Sequence, residues 1–122
     1  MSHSKLILVV DDEPAIRDLL GDFLTGQGYR VMTAGNGQEA LKLAQENLPD
    51  LLVSDLLLPG EHGVEVIRQI KDSYFIPTLA ISGIYKRNQV VHELDDFYLD
   101  GFFAKPLDLE EMLSRIRALL HE

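Results

Sequence analysis

The sequence predicts an α/β fold, a doubly wound, five-stranded parallel sheet with helices on both faces. Three observations point to it. Short apolar runs alternate with amphipathic segments five times along the chain. Three of the runs are apolar almost throughout rather than alternating, as strands covered on both faces require. The 122 residues, 46% hydrophobic and 25% charged, suit one globular domain with a core of its own.

The first strand is Leu6–Val10. Behind it Ile16, Leu19, Leu20, Phe23 and Leu24 recur at helical spacing, and Gly28 is placed to end that helix. Residues 29–34 form the second strand, and Ala40, Leu43 and Ala44 mark a second helix that stops before Pro49. Residues 51–54 follow as the third strand, with Val64, Ile67 and Ile70 on a third helix. Residues 78–81 are the fourth strand, and Val90, Leu94, Phe97 and Tyr98 the apolar face of a fourth helix. Residues 102–104 are the fifth strand, and Leu109, Met112, Leu113, Ile116 and Leu120 mark the last helix. With no repeat, linker or low-complexity segment, residues 1–122 read as a single domain that ends with its fifth helix. The fourth helix carries Lys86 and Arg87 near its start and Glu93, Asp95, Asp96 and Asp100 near its end. Both sets oppose the helix dipole, at about 0.3–1 kcal/mol per exposed charge; they read either as solvated surface charge of no consequence or as the mark of the softest helix in the fold.

Composition excludes several functions. A net charge of −9 argues against direct nucleic-acid binding, which needs a basic face. Without cysteine there are neither disulfides nor thiolate metal sites. The apolar runs are far too short for a membrane span and the N-terminus has no signal-peptide pattern, so a cytoplasmic protein is expected. Neither a GxGxxG fingerprint nor a phosphate-binding P-loop follows the first strand, which argues against a nucleotide enzyme.

Asp11, Asp12 and Glu13 stand directly behind the buried first strand. Like charges repel by about 4 kcal/mol per pair at ~4 Å and an effective dielectric near 20. Either the acids cap the next helix, a role that Asp12 before Glu13-Pro14 suits, or a cation sits among them. In a parallel sheet the residues after the strands share the carboxyl edge, where such folds bind ligands. Those residues are Asp11 and Asp12, then Asp55, Ser82 and Lys105, and they are expected to meet in one shallow pocket. Each alone has a plainer reading: Asp55 as a loop start, Ser82-Gly83 as a turn, Lys105-Pro106 as a solvated strand end. His3, His62, His92 and His121 have no ligand spacing, although His62 lies in the loop after Asp55.

The segments VVDDE, LLVSDLLLPG, ISG and FFAKP, in this order, resemble the receiver domain of two-component response regulators, over essentially the whole chain. The resemblance implies a flavodoxin-like (βα)₅ fold with sheet order 2-1-3-4-5. It implies that Asp55 accepts a phosphoryl group from the phosphohistidine of a sensor histidine kinase or phosphotransfer protein. Asp12, Asp55 and the backbone carbonyl of Leu57 would then ligate Mg²⁺ directly, with Asp11 acting through a water. Carboxylates, a carbonyl and waters suit this hard cation. Lys105 would pair with a phosphoryl oxygen. Ser82 would hydrogen-bond the phosphoryl group and move towards it, and Phe102 would change rotamer in step, unless it is simply core. The Lys105–Pro106 bond is expected to be cis.

Leu57 and Ile84 occupy positions where the family tunes phosphoryl lifetime, and their apolar side chains imply slow autodephosphorylation. Partners or a homodimer would use the face of the fourth helix, fifth strand and fifth helix, where FYLDG replaces the usual small Gly-Ala turn. The chain would catalyse its own phosphorylation without being an enzyme towards a separate substrate. Two other readings compete: a pseudo-receiver that binds partners without phosphotransfer, and a hydrolase with an aspartyl-phosphate intermediate. The second needs a general acid/base and a substrate cap, which the short loops do not offer.

Overall fold

The computed structural model describes residues 4–58, 61–83 and 99–122. The elements are β1 (Leu6–Val10), α1 (Pro14–Gly26), β2 (Arg30–Ala34), α2 (Gly37–Glu46), β3 (Leu51–Asp55), β4 (Leu57–Leu58), β5 (Glu61–His62), α3 (Gly63–Tyr74), β6 (Thr78–Ser82), β7 (Gly101–Ala104) and a C-terminal helix, Leu109–Leu119. The main sheet runs β2-β1-β3-β6-β7, with every neighbouring pair parallel. Counted within that sheet the order is 2-1-3-4-5, the flavodoxin-like topology. β4 and β5 form a separate antiparallel pair that the sequence periodicity did not reveal.

The strand composition accounts for the layering. β1, β3 and β6 are buried at every position and occupy the middle of the sheet. β2 and β7, at the edges, mix buried and exposed positions. Alternation along the central strands divides the core in two. Leu8, Val10, Leu52 and Ala80 pack against Ala40, Ala44, Ile67 and Ile70 of α2 and α3. Ile7, Val9, Leu79 and Ile81 pack against Leu20 and Leu24 of α1 and Met112 and Ile116 of the C-terminal helix. Each large apolar side chain buried this way contributes about 1.5–3 kcal/mol before conformational entropy is counted.

The helix ends differ from expectation at one functional place. Asn36 caps α2 by accepting the Glu39 N–H at 2.8 Å, and Asp108 caps the C-terminal helix by accepting the Glu111 N–H at 3.1 Å. Asp12, a cap of α1 in one of the two readings of the acidic run, is not its cap. That position belongs to Glu13, whose side chain makes no capping bond, and Pro14 opens the helix. Beyond the far end of α1, Gly28 turns the chain into β2 with φ 97°, a conformation that an L side chain resists.

The expected fourth helix lies outside the described residues, apart from Asp100. So do Ile84, His3 and His92. Asp100 stands immediately before β7 and is structural there: its carboxylate accepts the Thr78 N–H at 2.7 Å and the Lys71 ammonium at 3.1 Å. Among the described residues, no helix is long and apolar enough to cross a membrane.

Candidate functional site

Level strand ends build the site. Val10 pairs in register with Ala34 and Ser54, Asp55 with Ile81, and Ser82 with Ala104. The ladder continues one step past the strands. Asp11 N–H donates to the Ala34 carbonyl at 3.0 Å, Leu56 N–H to that of Ile81 at 3.1 Å, and Lys105 N–H to that of Ser82 at 3.0 Å. The backbone of each expected site residue in the sheet is therefore pinned at the carboxyl edge. Asp55 and Ser82 are the last residues of their strands rather than the first beyond them.

Asp11, Asp55 and Ser82 are buried, at 0%, 4% and 1% exposure, whereas Asp12 is exposed. Asp11, Asp12 and Asp55 each bring one carboxylate oxygen within 4.8 Å of the others. Lys105 reaches into this cluster from β7. Its Nζ lies 2.9 Å from Asp11 Oδ2, 3.0 Å from Asp55 Oδ2 and 2.7 Å from Glu13 Oε1. The lysine stem runs beside Gly83, where a β-carbon would meet Lys105 Cδ at 3.5 Å.

The acidic turn itself is held from two sides. Asp11 Oδ1 accepts the Glu13 N–H at 2.9 Å, and Arg17 Nη1 donates to the Asp11 carbonyl at 2.7 Å. Gly35 leaves room for that guanidinium, since a β-carbon there would come within 3.1 Å of Arg17 Nη1. Glu13 and Arg17 are site residues that sequence reasoning missed. The run of three acids signalled Glu13, but nothing in the sequence aimed it at Lys105.

Burial works against the charge on Lys105. The contacts with Glu13, Asp11 and Asp55 outweigh it and hold the amine above the usual lysine range. For Asp11 the balance is reversed. Burial, helped by the nearby Asp55 charge, raises its pKa despite the Glu13 N–H and the Lys105 ammonium. A carboxyl whose folded pKa exceeds its unfolded value binds its proton more tightly in the native state. Its charge then costs stability, and that cost grows as pH rises through the folded pKa. Asp11→Asn removes that cost, but its amide has one oxygen for two donors, the Glu13 N–H and the Lys105 ammonium, so one of them is left facing an NH₂ group. No gain in stability is therefore expected in EDTA at pH 7, and melting of the variant beside the native chain checks this.

The other expected residues are placed as follows. Leu57 begins β4, two residues past Asp55, and pairs with His62 across the hairpin. Phe102 pairs in register with Ala80 and packs, half-buried, against the core cluster that contains Leu8 and Ala80. The Lys105–Pro106 peptide bond is cis. His121 is exposed at the C-terminal end. A second concavity, about 390 Å³, lies at the amino edge between Lys71, Phe75, Pro77, Asp100 and Leu119. Its Lys71 and Asp100 satisfy each other.

Residues 7–117 match the response regulator receiver domain family. Response regulator RR06 of Streptococcus pneumoniae serotype 2 is 37% identical over 114 residues, which are 93% of this chain and 52% of RR06. Among solved structures, the chemotaxis protein CheY4 of Vibrio cholerae superposes with a TM-score of 0.87 at 28% identity, covering 96% of this chain and 99% of that one. Response regulator protein TrrA of Thermotoga maritima, in complex with Mg²⁺-BeF, gives 0.82 at 33% identity, covering 94% and 98%. The chain spans about half the length of the curated relatives it matches. With its sheet order, its acidic carboxyl edge and a family match over nearly its full length, the chain belongs to the response regulator receiver domain family.

Proposed function

We propose that this receiver accepts a phosphoryl group on Asp55 from the phosphohistidine of a sensor histidine kinase or phosphotransfer protein. The observation that carries the reading is the buried Asp55 carboxylate at the end of β3, 3.0 Å from the Lys105 ammonium and inside a cluster of three aspartates. An Asp55 oxygen attacks phosphorus, and the phosphorus–nitrogen bond breaks with its electron pair leaving on the imidazole. Such a transfer depends on positioning and on neutralising the phosphoryl oxygens rather than on a strong nucleophile. Lys105 neutralises one of those oxygens as a point charge. Ser82, on the adjacent strand, donates its hydroxyl to another, and Phe102, two positions before Ala104, the register partner of Ser82, follows that movement as a switch.

The donor set fits a hard divalent cation. Three carboxylates converge, and Asp11 Oδ2 meets the Lys105 ammonium without a hydrogen bond aligned on it. Asp12, Asp55 and the Leu57 carbonyl would hold Mg²⁺, with Asp11 acting through a water. When bound, the cation supplies positive charge against the acids and the phosphoryl oxygens. That TrrA was solved with Mg²⁺-BeF supports this choice.

Leu57 and Ile84 offer an attacking water no side-chain hydrogen bond, so the acyl phosphate should hydrolyse slowly. The reaction is self-modification in the cytoplasm. Its readout is an output domain or target protein docked on the face that includes β7 and the C-terminal helix. Intact mass after incubation with acetyl phosphate tests the reading. One phosphoryl group should be added with Mg²⁺ and almost none in EDTA. A folded chain that takes up neither phosphate nor beryllofluoride would be a binding module without phosphotransfer.

A further inference from the structure

We propose that Glu13 is a positioning residue: it retains the Lys105 ammonium at the mouth of the pocket when a divalent cation takes Asp11 and Asp55. The inference rests on the reading that the aspartate cluster holds Mg²⁺. Lys105 Nζ lies against two of the three carboxylates that this cation would use, Asp11 at 2.9 Å and Asp55 at 3.0 Å. A doubly charged ion entering there repels the ammonium and competes with it for the same oxygens. Yet the ammonium must stay close if it is to meet the phosphoryl group afterwards.

Its third and shortest contact, Glu13 Oε1 at 2.7 Å, belongs to an acid outside the cluster. The ammonium donates hydrogen bonds to Glu13 and Asp55 and meets Asp11 as an ion pair. When the two buried contacts yield to a cation, the Glu13 contact is free to persist. Its side chain is 55% exposed against 13% for Lys105, so Glu13 holds the amine from the solvent side. The carboxylate is also presented by an anchored backbone. Glu13 N–H donates to Asp11 Oδ1, and the Glu13 carbonyl accepts from the Ile16 and Arg17 N–H groups at 3.1 and 3.2 Å. Without Glu13, the ammonium has only the oxygens that the cation needs, and the two become direct competitors.

Calorimetric titration of the metal-free protein with MgCl₂ alone tests this. Glu13→Gln should weaken Mg²⁺ binding about fivefold, the size of a strong exposed ion pair. In a Lys105→Met background, with no ammonium to retain, the same substitution should change the affinity by less than about twofold. A charge-matched control, Asp18→Asn on the exposed face of α1, keeps the test decisive if Lys105→Met does not fold. It should leave Mg²⁺ affinity nearly unchanged. An equal loss in both Lys105 backgrounds, or an equal loss in Asp18→Asn, would reduce Glu13 to a distant charge and overturn the proposal. Unchanged affinity in Glu13→Gln overturns it as well. Absence of Mg²⁺ binding in the native chain would instead overturn the reading of the aspartate cluster, and this inference with it.

Discussion

Asp55→Asn is expected to take up no phosphoryl group, from acetyl phosphate or from a phosphorylated donor, while remaining folded. The substitution is isosteric and leaves an oxygen that can still accept from Lys105, but the amide has no anionic oxygen to attack phosphorus. Asp55 is 4% exposed, so no outside carboxylate can take its place at the same point of the pocket. Folding should not suffer, because one of several crowded negative charges is removed and the side-chain shape is kept. Asp12→Asn is the informative comparison. It weakens the cation site but keeps the nucleophile, so slow uptake should survive at raised Mg²⁺. Intact mass and thermal melting of both variants, beside the native chain, separate the roles. Mg²⁺-dependent uptake by Asp55→Asn would move the nucleophile to another residue and end the present assignment.

How far the sequence alone reached depends on which interactions are local. The central strands were legible because burial on both faces writes itself as unbroken apolar runs, as in Leu6–Val10. The site was legible to the same degree. Parallel strands with level ends turn chain position into spatial position, so Asp11, Asp55, Ser82 and Lys105 could be named from their strands. Capping by Asp12, one of the two readings of the acidic run, fails for a local reason. Cap propensity favours Asp12, but Pro14 at the first helical position keeps Glu13 extended, at φ −85° and ψ 114°. That moves the cap one residue on and leaves Asp12 to the cluster. Glu13 was missed for a non-local one, since its partner Lys105 lies 92 positions away. The β4–β5 pair has two residues per strand, too few for any period to register.

Lys105→Met should lose both stability and chemistry, and the two losses should respond differently to Mg²⁺. The substitution takes away the ammonium that faces Asp11, Asp55 and Glu13 while nearly preserving the length of the stem. Removing one partner of a fully buried ion pair costs about 3–5 kcal/mol, but this amine stands near solvent, so about 1–3 kcal/mol is expected in EDTA at pH 7. Lys105 itself titrates above the usual lysine range, so its contribution is present at neutral pH and is lost only in strong alkali. In acid the difference between variant and native chain should shrink, because protonated carboxyls no longer need the ammonium. Mg²⁺ should restore much of the stability and should bind the variant more tightly, its competitor being gone. It should not restore phosphoryl uptake, expected to fall about 100-fold, because a positioned donor to a transferring oxygen has no substitute in the cation. Melting in EDTA and in Mg²⁺, read beside the uptake rate, distinguishes the two roles. Full recovery of both would make Lys105 a mere counter-charge, whereas recovery of stability alone would assign it to the transferring group.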